Sequence, residues 1–120
     1  MTWPVERKYP RVRVSLPAEA QHLMEDYPRR GQVTNVSEGG CYIELLQTLE
    51  APTGVDVVLW LDDKKIRARA EVVSRDPHLG NGIRFVRMAE EDKAKLRAYL
   101  ETAQQTRGLP FRKVQAERAD

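Results

Sequence analysis

Between residues 12 and 87, apolar side chains recur at every second position. That period belongs to strands with one face in a core and the other in water. Val12, Val14 and Leu16 alternate with Arg11, Arg13 and Ser15 until Pro17 interrupts. Residues 30–36 form a second candidate strand. Cys41, Ile43 and Leu45 alternate with Tyr42 and Glu44. Val55, Val57, Leu59 and Leu61 share one face of a stretch that also carries Val58 and Trp60. Ile66, Ala68, Ala70 and Val72 alternate with Arg67, Arg69 and Glu71, and Ile83 and Phe85 flank Arg84. Asp62-Asp63-Lys64-Lys65 reads as a polar hairpin turn. His78-Leu79-Gly80-Asn81-Gly82 reads as another, in which the glycines take positive φ. Several short strands joined this way predict a small barrel or sandwich. A barrel closes the sheet edges.

The pattern changes after residue 88. Glu90, Glu91 and Asp92 supply the negative charge that a helix N-terminus favours. Leu96, Tyr99, Leu100 and Ala103 then follow helical spacing, and Gly108-Leu109-Pro110 ends the segment. The spacing predicts a helix over 89–105 that covers the core. A switch or dimer element is the other reading of that helix. The chain divides into a basic arm (1–11), a β-barrel with its helix (12–105) and a polar tail (106–120).

Composition narrows the function classes. At 120 residues the chain has the length of one domain. Twenty Lys and Arg stand against 18 Asp and Glu, a net charge of +2. Such near balance argues against coating a nucleic acid polymer or an anionic membrane over a broad face. One cysteine, Cys41, excludes an intramolecular disulfide. Neither His22 nor His78 is near it in sequence, so no zinc ligand set is visible and Cys41 reads as a small core residue. The longest apolar run, Val57–Leu61, has strand length, which predicts a soluble, cytoplasmic protein without membrane insertion. Neither a nucleophile–base pair nor a phosphate-binding glycine loop is present, so no enzyme and no cofactor is expected. Trp60 reads as core from the average burial of its type, with an exposed partner anchor as the alternative.

Two segments carry chemistry. Arg7-Lys8-Tyr9-Pro10-Arg11 places three cations within five residues. The proline keeps the backbone before Arg11 extended. Asn35-Val36-Ser37-Glu38-Gly39-Gly40 lies at a strand end, with turn-forming side chains and paired glycines that let the backbone bend and a ligand approach.

The pair RxxxR (Arg7, Arg11) and (D/N)xSxxG (Asn35, Ser37, Gly40), in that order, resembles the signature of the PilZ domain family of bacterial cyclic di-GMP receptors. Gly82-Ile83-Arg84-Phe85 is similar to that family's late strand, so the resemblance spans roughly residues 5–102. It implies a six-stranded antiparallel PilZ-type β-barrel with a C-terminal helix. It also implies a domain that binds cyclic di-GMP, changes conformation and signals to a partner protein, as monomer or dimer. A PilZ-like scaffold working through protein contacts alone is the alternative. In the implied site Arg7 and Arg11 grip guanine and phosphate, matches that the planar guanidinium makes bidentately. Asn35 accepts from guanine, Ser37 adds a hydroxyl, and Gly40 keeps the turn open. Lys8 and Gly39 are further candidate contacts; Trp3 has two readings, a disordered residue or one that stacks on a bound base. Many members carry Asp where this chain has Asn35. The amide offers one acceptor to the two guanine donors where a carboxylate offers two.

Overall fold

The computed structural model describes residues 10–107, with side chains through residue 103. Six strands precede one helix: β1 (Val12–His22), β2 (Arg29–Val36), β3 (Gly40–Leu45), β4 (Thr53–Leu61), β5 (Lys64–Asp76), β6 (Gly80–Arg87) and α1 (Glu90–Arg107). All pairings are antiparallel, and the order β1-β2-β3-β6-β5-β4 closes on itself. The six-stranded all-β barrel with a C-terminal helix is therefore as expected.

The alternation explains the core. Val55, Val57, Leu59 and Leu61 of β4 point inward beside Ile66, Ala68, Ala70 and Val72 of β5. Ile43, Val33 and Val36 meet them from the other side of the barrel. Cys41 is fully buried among them, the core residue its setting predicted. Leu96 and Leu100 of α1 are buried, with Tyr99 and Ala103 packed beside them, so the helix completes the core against β5 and β1. This is the covering role.

Four local expectations change. Pro17 does not end the first strand, which runs on to His22. β1 pairs only with β2 as far as Pro17 and gains β4 as a second neighbour from Ala18. The proline thus sits where one side of the strand is still an edge, where a missing N–H costs least. The β4–β5 turn is only Asp62-Asp63, with Asp62 at φ 57°, and Lys64 and Lys65 already belong to β5. In the β5–β6 turn the positive φ of 66° falls on His78, and no described glycine has one. Gly80 and Gly82 lie instead in β6. A Cβ on Gly80 would collide with the Ile43 carbonyl oxygen, so the residue is small to let two strands approach. Trp60 is not core. It points outward from β4 and is partly exposed, with the Lys65 Nζ 5.9 Å from its ring centre.

Alternating connections give the barrel two different ends. One end carries the start of β1, the β2–β3 and β4–β5 turns and α1. The opposite end carries the β1–β2, β3–β4 and β5–β6 connections. There Asn81, fully buried, takes the place of a strand. Its Oδ1 accepts the Leu49 N–H at 2.8 Å, and its Nδ2 donates to the carbonyls of Leu49 at 2.8 Å and Ser74 at 3.1 Å. Removing that side chain strands a buried N–H and two carbonyls. We expect Asn81→Ala to lower the unfolding free energy by about 2–4 kcal/mol, measured by urea denaturation.

Candidate functional site

Residues 24 apart in sequence meet where β1 begins. Val12 pairs with Val36 and Arg13 with Asn35, which places the end of β2 beside the residue preceding β1. From there the Arg11 Nη1 donates to the Asn35 Oδ1 at 2.6 Å. Asn35 is free to face outward because the β2–β3 register shifts between Val33 and Asn35. The bulge lets both Val33 and Val36 bury while Asn35 stays half-exposed. Arg7 and Lys8 lie outside the described residues, as does Trp3.

The turn that follows is stiff. The Ser37 hydroxyl oxygen accepts the N–H groups of Gly39 at 3.1 Å and Gly40 at 3.2 Å, while the Ser37 N–H donates to the Gly40 carbonyl at 2.8 Å. Ser37 is only 5% exposed. Its hydroxyl therefore organises the backbone before it can serve anything outside. The Gly39 carbonyl accepts the Phe85 N–H at 2.9 Å, and the Glu38 Oε1 lies 3.5 Å from the Arg97 Nη2 on α1. Gly40 is already strand, and a Cβ there would collide with the Ile83 carbonyl oxygen. The sequence suggested an open turn for ligand approach, whereas the missing side chain at this position admits β6.

Two residues that the motifs do not mark share the outer face. The strand registers line up Arg13, Asn35, Tyr42, Gly82 and Ser74 across neighbouring strands. The Tyr42 hydroxyl donates to the Asp76 Oδ2 at 2.6 Å, which fixes the ring at the surface, close to Gly80. The signal for both lay in the polar half of the strand alternation, since Arg13 and Tyr42 had to face outward once Val12 and Cys41 faced in. Next to the turn, a groove of about 510 Å³ is lined by Glu38, Gly39, Arg84, Phe85, Lys93 and Arg97 among others.

Burial pushes the Cys41 thiol from 9.0 up to about 12, with the Arg11 charge pulling weakly the other way. The Tyr42 phenol is raised by desolvation, then by its bond to Asp76 and by the Asp76 and Glu44 charges, so it stays a neutral donor. His22 is used structurally, with Nδ1 accepting the Met24 N–H at 2.9 Å and Nε2 lying 3.1 Å from the Thr53 hydroxyl. Among the described residues no three side chains gather to hold a metal, and no helix is long and apolar enough to cross a membrane.

The PilZ domain family model matches residues 6–102. The chain belongs to the PilZ domain family. Solved PilZ structures share its fold. The Bacillus subtilis inhibitor of motility MotI/DgrA superposes with a TM-score of 0.70 at 20% identity, over 83% of this chain and 51% of that one. This PilZ chain thus spans about half the length of MotI. The PilZ domain of Escherichia coli YcgR, solved with c-di-GMP, gives 0.68 at 13% identity, over 83% of this chain and 92% of that domain. The PilZ domain of CeSA from a cellulose-synthesizing bacterium gives 0.57 at 16% identity, over 80% and 96%. Among curated proteins none matches the chain by sequence.

Two outcomes are expected from the turn and the thiol. Ser37→Ala lowers the unfolding free energy of the ligand-free protein by about 1–2 kcal/mol, because two turn N–H groups lose their acceptor. Urea unfolding without ligand reads this, and an unchanged midpoint would mean that the hydroxyl serves only a ligand. For Cys41 the unfolded thiol ionises from pH 9.0 while the folded thiol holds its proton to about 12. The unfolded state therefore binds fewer protons in that window, and stability falls as pH rises through it. Cys41→Ala has a shallower fall over the same window in paired urea titrations.

Proposed function

We propose that this PilZ domain is a cyclic di-GMP receptor that passes the signal to a partner protein and catalyses nothing itself. The observation that carries the reading is the Arg11–Asn35 contact, which unites the two motifs on one surface. Arg7 and Arg11 grip a guanine edge and a phosphate of the ligand, as guanidinium geometry favours. Guanine N1–H and N2–H₂ need acceptors, and the Asn35 Oδ1 is the acceptor on that surface. Arg11 already donates to that oxygen. Binding therefore exchanges one contact for two, as Arg11 turns to the nucleotide and Asn35 accepts from guanine.

Ser37 and Gly40 act mainly by building the turn that fixes Asn35, while Lys8 and Gly39 add contacts at the margin. The ligand-bound site presents a changed surface, which is what the partner reads, in the cytoplasm where this second messenger is made. The YcgR PilZ domain with c-di-GMP, similar in fold, supports this reading. A second reading, a PilZ scaffold that binds no nucleotide, draws on the same geometry, since the Asn35 acceptor and the Ser37 hydroxyl already have partners.

Calorimetric titration with cyclic di-GMP separates the two. We expect saturable heat for the wild-type protein, at least tenfold weaker binding in Arg7→Ala/Arg11→Ala, which is about 1.4 kcal/mol or more, and none with GTP. Absence of heat from a folded protein at high ligand concentration would leave the scaffold reading.

A further inference from the structure

The closed barrel has a second worked surface, on the outer face of β4 and β5, around the flank from Asn35. Here the strand registers set Trp60 beside Lys65, Val58 beside Arg67, and Asp56 beside Arg69. Arg69 in turn stands directly opposite Arg87 of β6. Like charges opposite one another on a sheet cost stability; Asp56 offsets the charge of Arg69, which leaves Arg87 without such a partner. A groove of about 660 Å³ runs along these residues to the first turn of α1.

The groove's charges are unevenly matched. Its three carboxylates have partners within the protein. Asp56 pairs with Arg69 at 2.7 Å, and Glu19 with Arg30 at 3.3 Å. Asp92 lies 3.6 Å from the Lys95 Nζ and accepts the Arg67 N–H at 3.2 Å. By contrast, among the described residues no carboxylate pairs with the side chains of Lys65, Arg67 or Arg87. Three unmatched cations therefore surround an apolar strip made by Val58, Trp60 and Met88. A partly exposed Trp flanked by Arg is the residue combination that dominates protein interfaces. The three carboxylates are already paired, so the surplus charge that an incoming partner meets is positive. The apolar strip beside it suits a protein segment that carries an aliphatic side chain as well as carboxylates, which a nucleic acid backbone does not. On this face the Arg67 N–H is already taken by the Asp92 carboxylate, so a partner is read by side chains rather than by strand addition.

We propose that this groove docks an acidic protein segment, with one aliphatic side chain of the partner on Trp60 and its carboxylates on Lys65, Arg67 and Arg87. The proposal supplies the chemistry of the partner invoked for the receptor. It rests on that reading only for what the partner would be told, and docking is tested without nucleotide.

Trp3→Phe leaves Trp60 as the single tryptophan of a chain that has two. The probe is a short peptide of glutamates around one leucine, titrated against Trp60 fluorescence. Its glutamine counterpart, oligothymidylate and phosphatidylserine vesicles are run beside it. We expect a saturable change with the glutamate peptide, weakening as salt rises and at least tenfold weaker in Arg67→Gln/Arg87→Gln. Urea unfolding of that variant, equal to its parent, ties the loss to the surface. No saturable change, an equal response to the glutamine peptide or undiminished affinity in the variant would overturn the proposal. Tighter binding of oligothymidylate or vesicles would also overturn it, by making the surface a polyanion site.

Discussion

Closure of the sheet is the constraint on which the rest of this molecule depends. Every strand has a hydrogen-bonded neighbour on each side, so the main chain of the barrel is committed to itself. Two consequences follow. The inward half of each strand is spent on one continuous core, which leaves only the outward half and the two ends for recognition. Little main chain is left for recognition by adding a strand, the first half of β1 having β2 alone beside it, so a ligand or partner is met mostly by side chains standing on the wall. Alternation then decides function as well as fold, because an outward position is available only where its neighbours face in.

The architecture was legible because alternation and burial agree along β3, β4 and β5, with few interruptions. What misled were residues whose local preference was overruled by neighbours distant in sequence. Pro17 looks like a terminator until β2 is seen holding the strand from one side. The glycines at 80 and 82 look like turn residues, but tertiary approach, not φ, demands them. Asn81 lay between them without any signal of its own. Its role depends on the backbone of Leu49, a residue that local pattern cannot place. Trp60 followed the average habit of its type into the core, although the strand period already put it on the face opposite Leu59 and Leu61. In that case the period was the better guide.

The candidate site was legible in a different way. Motif spacing pointed to Asn35, Ser37 and Gly40, but their chemistry differs in kind. Ser37 and Gly40 turn inward to the backbone, one by hydrogen bonds and the other by making room for β6. Only Asn35 presents its polar group to Arg11 and the outer face. A short motif thus mixes contact residues with residues that hold them still, and sequence alone gives no means of sorting them. Arg13 and Tyr42 illustrate the converse, with surface chemistry beside the motif and no motif of their own.

The stiffness of that turn bears on how a signal would travel. Residues 37–40 are tied to themselves through Ser37, to β6 through Gly39 and to α1 through Glu38 and Arg97. A segment held at three points absorbs little displacement. The Arg11–Asn35 contact is a part-buried hydrogen bond at the start of β1. A rearrangement driven by ligand at Asn35 would therefore fall on the side of the arm, with the barrel wall as the fixed reference. The cations of Lys65, Arg67 and Arg87, with which no carboxylate of the described residues pairs, stand on that same wall, on β5 and β6, apart from the Asn35 surface where the ligand would bind.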